Sequence, residues 1–287
     1  MKEPTMPPIT YGLAKTDELP RLREIFLQCF GEAAAAEMEL IFLRYGNALW
    51  CARKEGIPAA MLVAMPVTLA IPEGEVPARY FYGVATHPDC RRQGLCSGLL
   101  EHCCRMMTEH GEQAALLRPD SEKNRRFYAQ NGFIDCSKVM TGNYTATGEK
   151  ALACTPAKPE QYDTLRRKFA PWGLQWGVEG LTTQRDWLRL YNGELWLLGT
   201  QAQPMGCAAV SREGEAPLVR ELLCRKEQDL AALEGLCRTL SAEMLRLALP
   251  EPFTVPMEGA ATEPMMMVRK TGNIELPQTI YTPLAMD

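Results

Sequence analysis

Apolar residues recur at helical spacing from Leu19 through Leu22, Phe26, Cys29 and Phe30, with Pro20 in the first turn and Gly31 at the end. Thr16-Asp17 stands just ahead as a cap, so a first amphipathic helix is predicted there. An Ala- and Glu-rich run from about Glu32 to Tyr45 predicts a second. Leu49 to Arg53 and Ala59 to Ile71 read as strands around the turn Lys54-Glu55-Gly56, and another strand spans about Arg79 to Thr86. Leu95, Leu99, Cys103 and Met106 then share one face of a long helix that stops near Gly111. Ala114 to Leu117 reads as a buried strand, Ser121 to Gln130 as a helix closed by Gly132, and Phe133 to Tyr144 as one or two strands. Helices and strands in this alternation predict an α/β layered domain.

Thr145 to Lys150 is polar and fits a linker, dividing the chain into domains at 1–147 and 148–287. The length of 287 residues agrees with two domains. The second half partly repeats the first. Gln161 to Phe169 reads as a helix, Trp187 sits in another, and Glu194 to Thr200, Met205 to Ser211 and Leu218 to Cys224 read as strands. Asp229 to Leu249 reads as one long helix, Pro250 to Pro264 as irregular, and Met265 to Arg269 as a strand. Trp172, Trp176, Trp187 and Trp196 all fall in this half, either as the wall of a cleft or as packing.

Composition narrows the function. A net charge of -4 argues against an extended nucleic-acid footprint. The longest apolar stretch, Ile57 to Ile71, is broken by Pro58 and Pro66 and is too short for a membrane span. No apolar signal core follows the first residues, so a cytoplasmic location is expected. The eleven cysteines form no Cys-x-x-Cys pair and read as small buried hydrophobes rather than disulfides. His102, Cys103 and Cys104 point in different directions on a helix, so no metal site is expected.

The segment Tyr82-Gly-Val-Ala-Thr-His-Pro-Asp-Cys-Arg-Arg-Gln-Gly-Leu-Cys-Ser-Gly runs from a strand end through two arginines into a helix start. The first amides of a helix lack internal partners and carry the positive end of its dipole. Small residues at Gly94, Cys96, Ser97 and Gly98 leave those amides open to an anion, and Arg91 and Arg92 add charge. The segment reads as a pyrophosphate cradle or as a plain turn with a solvated arginine pair. It lacks the Gly-Lys-Ser/Thr of a P-loop and the G-x-G-x-x-G of a dinucleotide fingerprint. His87 reads as a turn residue, since no Gly-x-Ser-x-Gly elbow accompanies it.

Val84-Ala-Thr-His-Pro-x-x-Arg-Arg-Gln-Gly-Leu-Cys-Ser-Gly, followed by Asn124-Arg-Arg-Phe-Tyr128-Ala-Gln-Asn-Gly132-Phe133, resembles the GNAT family of acyl-CoA-dependent N-acetyltransferases over roughly residues 8 to 145. The family's Arg/Gln-x-x-Gly-x-Gly/Ala signature falls on Arg91, Gly94 and Cys96, with Cys96 departing from it. Its Phe-Tyr-x-x-x-Gly-Phe signature falls on Phe127, Tyr128, Gly132 and Phe133. The resemblance implies two tandem GNAT-like α/β domains, each a mixed sheet flanked by helices, the second a degenerate copy. The first would use acetyl-CoA as co-substrate, with no metal. Backbone groups of Val84 and Thr86 would pair with the pantetheine arm. Amides of Arg92, Gln93, Gly94, Leu95, Cys96 and Ser97 would hold the pyrophosphate. Asn124 and Ser121 would touch the arm, and Lys123, Arg125 and Arg126 would either meet the adenosine phosphate or form a solvated basic face. Val84 and Ala85 amides would stabilise the carbonyl oxygen, and Tyr128 would protonate the leaving thiolate.

The base is not assigned by that resemblance. Arg79, Tyr80, Phe81 and Tyr82 offer no carboxylate, so a water chain, Tyr82 or a residue from elsewhere must serve. The two-domain layout resembles the enhanced-intracellular-survival acetyltransferases, and that likeness implies a terminal carboxylate, Asp287, near the site. The expected function is transfer of an acetyl group to a primary amine of a small molecule or peptide, with net acidity favouring a cationic one. The alternatives are an inactive CoA-binding regulatory module and a thioester hydrolase. Self-association is left open.

Overall fold

The computed structural model describes residues 9–212, 214–252, 255–282, 284 and 286. In chain order the first half contains β1 (Ile9–Leu13), α1 (Leu19–Phe30), α2 (Ala35–Tyr45), β2 (Leu49–Lys54), β3 (Ile57–Ile71), β4 (Gly74–Thr86), α3 (Leu95–Glu109), β5 (Ala114–Leu117), α4 (Glu122–Gln130), β6 (Ile134–Asp135) and β7 (Lys138–Thr145). The second contains β8 (Cys154–Pro156), α5 (Pro159–Phe169), β9 (Gly173–Gln175), α6 (Gly177–Leu190), β10 (Glu194–Gly199), β11 (Pro204–Ser211) and β12 (Leu218–Leu223). It closes with α7 (Asp229–Leu240), β13 (Met244–Pro250), β14 (Glu258–Pro264) and β15 (Met267–Lys270).

Two mixed sheets result. The first runs β1-β2-β3-β4-β5-β15-β6 with β9 paired to β3, and the second runs β14-β7-β13-β12-β11-β10-β8. The sheets do not part at residue 147. β7 lies before that point yet pairs with β13 and β14, whereas β15 lies far beyond it and pairs between β5 and β6. The first half therefore gives one strand, β7, to the second sheet, and the second half gives two, β9 and β15, to the first. Their packing is also continuous: one apolar cluster runs from Phe26, Ile41 and Tyr82 to Trp176, Trp187, Met266 and Tyr281. A second cluster packs α3 and α4 on the opposite face of the first sheet, and a third packs α7 on the second sheet.

The predicted elements need five corrections. The long helix expected over Asp229 to Leu249 stops at Leu240, where Ser241 turns left-handed at φ 52, and Met244–Pro250 is a strand. Leu245, Leu247 and Leu249 are its buried, alternating residues, a period of two that the leucine-rich composition masks. Ile9–Leu13, Cys154–Pro156 and Gly173–Gln175 are short strands without a strong pattern, and Glu258–Pro264 is an exposed strand where an irregular stretch was expected. In agreement with the strand read over Ala59 to Ile71, the run at 57–71 forms one 15-residue strand, unbroken at Pro66.

The linker is held by Glu234 on α7. Its carboxylate accepts from the Tyr144 hydroxyl at 2.6 Å, the Thr147 amide at 2.5 Å, the Thr147 hydroxyl at 2.8 Å and the Gly148 amide at 3.2 Å. The Tyr144 hydroxyl and these amides hold the Glu234 carboxyl down at about 2. An unfolded Glu titrates near 4.3, so this stabilisation is complete above that value and is lost as pH falls toward about 2. Urea titrations over that window are expected to show the wild type losing on the order of 3 kcal/mol that a Glu234→Gln variant does not lose.

Candidate active site

A cleft of about 540 Å³ opens in the first sheet between β4 and β5. The two strands pair in parallel only from Ala78–Ala114 to Tyr80–Leu116. Beyond that register β4 continues to Thr86 while β5 ends at Leu117, so the strands diverge. Among the described residues, backbone groups of β4 on that side then have no ladder partner in β5, and they face the cleft. A bulge reinforces the divergence. Met61 pairs with Ala85 and Val63 with Tyr82, leaving Gly83 and Val84 opposite the single residue Leu62. Gly83 adopts φ +59, and a Cβ there would stand 2.9 Å from the Phe26 ring. Glycine is required on both counts.

The mouth of the cleft is the turn into α3. Arg92 has φ 61 and Gly94 φ 77, and together they fold the chain so that the helix begins at Leu95. The first helical bond runs from the Gly98 amide to the Gly94 carbonyl at 2.9 Å, which leaves the Leu95, Cys96 and Ser97 amides unused by the helix. Arg91 lies along this rim, donating to the Thr86 carbonyl at 3.3 Å and to the Cys29 sulfur at 3.5 Å. Gly98 serves a different purpose from the expected one: a Cβ there would strike the Tyr11 hydroxyl, so it admits Tyr11 of β1 against α3.

Val84, Ala85, Thr86, Arg91, Cys96, Asn124 and Tyr128 come together as cleft lining, joined by Ser121 and Lys123. Arg92, Gln93, Gly94 and Ser97 flank its mouth in sequence without lining it, and the Leu95 side chain is buried in the α3 core. The Asn124 amide donates to Asp120 at 2.7 Å. Arg125 is engaged by Asp135, and Arg126 by Glu122 at 3.0 Å, so of this basic run only Lys123 lines the cleft. His87 caps the turn, its Nδ1 accepting the Asp89 amide at 3.3 Å. None of Trp172, Trp176, Trp187 and Trp196 lines the cleft; Trp176 packs on Tyr80 and Trp187 lies under Arg220. Asp287 lies outside the described residues. Met286 lines the cleft, and its carbonyl accepts from the Tyr80 hydroxyl at 2.8 Å.

Tyr128 projects from α4 between the rings of Phe127 and Phe133. Burial raises its phenol far above the ordinary value, and no group among the described residues hydrogen-bonds its hydroxyl. Burial also pushes the Cys96 thiol up to about 12, so it stays protonated and is a poor nucleophile. The sequence reading missed Glu37, a buried carboxylate on α2 that accepts hydrogen bonds from Tyr82 and from Tyr191. The available signal was its place on one helical stripe with Ile41 and Tyr45, both buried. Among the described residues no group of three or more His, Cys, Asp or Glu side chains is arranged to hold a metal, and no helix is long and apolar enough to cross a membrane.

These features find counterparts elsewhere. A family model described as an acetyltransferase (GNAT) domain matches residues 10–134. No curated protein matches the sequence. Among solved structures, a GCN5-related N-acetyltransferase from Anabaena variabilis superposes with a TM-score of 0.77 at 15% identity, over 92% of this chain and 73% of that one. Eis1 from Mycobacterium abscessus superposes with a TM-score of 0.67 at 14% identity, over 92% and 74%. A tandem GNAT protein from the clavulanic acid biosynthesis pathway does so with a TM-score of 0.51 at 10% identity, over 93% and 100%. At these identities the superpositions speak for the fold, and they extend through both halves. Residues 10–134 thus form a GNAT acetyltransferase domain, the domain of an acyltransferase, and the likeness in fold runs on through the second half.

Proposed function

We propose that the chain transfers an acetyl group from acetyl-CoA to a primary amine by direct attack on the thioester. The observation that carries this reading is the divergence of β4 from β5 beside the unused amides at the start of α3. The divergent edge suits a pantetheine arm, which needs backbone donors and acceptors spaced along a strand. The amides of Leu95, Cys96 and Ser97, with Arg91 and Lys123 beside them, suit a pyrophosphate. The volume of about 540 Å³ is in the range of small-molecule sites.

Within that cleft three tasks must be met: the acceptor loses a proton, the carbonyl oxygen is stabilised, and the thiolate is protonated. Amides of Val84 and Ala85 serve the oxygen. Tyr128 donates to the thiolate, because burial keeps its phenol protonated throughout the working range. The high Cys96 value favours direct attack over an acyl-cysteine. A cationic acceptor is favoured by the net charge of -4, through long-range steering. The second half does not bind coenzyme; its corresponding strand end, Leu222-Leu-Cys-Arg-Lys-Glu-Gln-Asp229, has no glycine to open the helix amides.

Thiol release from acetyl-CoA across a chemically varied amine panel tests the reading. Release that requires an amine is expected. Release without one marks a hydrolase, and tight CoA binding with no release marks a regulatory module.

A further inference from the structure

We propose that Tyr82 and Glu37 form a proton relay for the acceptor amine: Tyr82 meets the ammonium, Glu37 receives its proton, and Tyr191 from the second half holds Glu37 in place. The inference rests on the acetyl-transfer reading above and supplies the proton acceptor which that reading leaves open. Glu37 is 5% exposed, on α2 behind β4. Its Oε1 accepts from the Tyr82 hydroxyl and its Oε2 from the Tyr191 hydroxyl at 2.7 Å. Tyr82 lines the coenzyme cleft, on the strand whose amides would bind the thioester. The relay thus spans from the cleft to a carboxylate shielded from solvent, and it is completed only when the second half docks.

A buried carboxylate must be hydrogen-bonded or paired to persist. Cations on α2 and on the elements packed against it are engaged with other carboxylates. Arg23 of α1 holds Glu39 at 2.8 Å, and Arg44 holds Asp186 of α6 at 2.8 Å. The other phenols nearby are committed as well: Tyr80 of β4 donates to Met286, and Tyr45 donates to Thr183 of α6 at 3.2 Å. Two phenols deliver O–H bonds to Glu37, and one of them belongs to a residue that lines the cleft.

An alkylammonium resembles a lysine, with a pKa near 10.4, so only about one part in 10³ is free base near pH 7. In the relay the ammonium N–H bond breaks toward the Tyr82 oxygen while the Tyr82 proton passes to Glu37. The freed lone pair forms the C–N bond and the C–S bond breaks. The thiolate takes the Tyr128 proton, the second nitrogen proton restores Tyr128, and once product leaves, the proton on Glu37 returns through Tyr82 to water entering the cleft. Tyr82 begins and ends as a phenol. Glu37 acts through Tyr82, so it is a positioning residue and proton store.

The test uses the full chain, acetyl-CoA and two kinds of nucleophile: n-butylamine or spermidine, which are protonated near pH 7, and hydroxylamine, which is not. For Glu37→Gln, kcat/KM with the alkylamines is expected to fall about 10²-fold near pH 7 and to recover toward pH 10. Turnover of hydroxylamine should stay within about threefold of wild type, and calorimetric CoA affinity should not change. Tyr82→Phe should reproduce this split, which keeps the test open if Glu37→Gln fails to fold. Losses equal for both nucleophiles, or none for either, overturn the relay, as does a wild type that acetylates hydroxylamine but neither alkylamine. A wild type that binds CoA yet releases thiol with no nucleophile instead overturns the transfer reading, and the relay with it.

Discussion

Replacing Tyr128 with Phe is expected to lower thiol release from acetyl-CoA by about 10²–10³-fold, with hydroxylamine as the nucleophile, while CoA affinity stays at the wild-type value. The substitution removes only an oxygen. Phe keeps the edge contacts with Phe127 and Phe133, which lie 5.4 and 5.9 Å away between ring centroids, so the cleft retains its shape. What disappears is the donor proposed above for the leaving thiolate. Burial holds the phenol protonated well above its ordinary range, so wild-type turnover should show no alkaline limb from Tyr128. Stopped assays of kcat beside calorimetric affinity check this. A kcat within about threefold of wild type would remove Tyr128 from the reaction.

The largest expected effect on stability is at Arg166. This side chain is 0% exposed, and so is Glu221, its partner at 3.2 Å. Arg166 also donates to Gln175 at 2.7 Å and to the Leu174 carbonyl at 2.6 Å, which fixes β9 against β3. Glu221 in turn accepts from Tyr162 at 2.6 Å and from Tyr281 at 2.5 Å. The cluster thus ties α5, β9, β12 and the segment ahead of Met286 together. Removing one member of a buried pair strands the other charge, which costs about 3–5 kcal/mol. Arg166→Met should therefore lower the melting temperature by about 10 °C, and Arg166→Met with Glu221→Leu should recover part of the loss. Calorimetric unfolding of the three proteins reads both outcomes. The same loosening should reduce turnover, because the Tyr80–Met286 contact at the cleft depends on the segment that Tyr281 anchors.

Local chemistry was legible in the sequence; long-range pairing was not. The helix at Leu19–Phe30 follows from its spacing and its proline, and the turn into α3 follows from Arg91, Gly94 and Cys96. Neighbouring residues fix both features. Sheet membership is different. β7 and β15 have ordinary strand patterns, and nothing in Lys138–Thr145 or Met267–Lys270 records that each crosses to the other half's sheet. A one-dimensional pattern sets which face of a strand is buried but not which strand lies beside it. Glu37 was obscured for a related reason. In Ala-Ala-Glu-Met-Glu-Leu a glutamate reads as solvent-facing, and only the docking of Tyr82 and Tyr191, 45 and 154 positions away, makes it a buried acceptor. Gly98 carries the opposite lesson. It matched the expected open cradle, yet its smallness is required by Tyr11, from a strand the pattern did not reveal.

Titration of CoA into the full chain by isothermal calorimetry tests the central claim most directly. One site per chain is expected, weakened at least tenfold when bulk is placed over the helix-start amides by Cys96→Trp. No heat, two equal sites, or undiminished binding by that variant would contradict a coenzyme cleft confined to the divergence of β4 and β5.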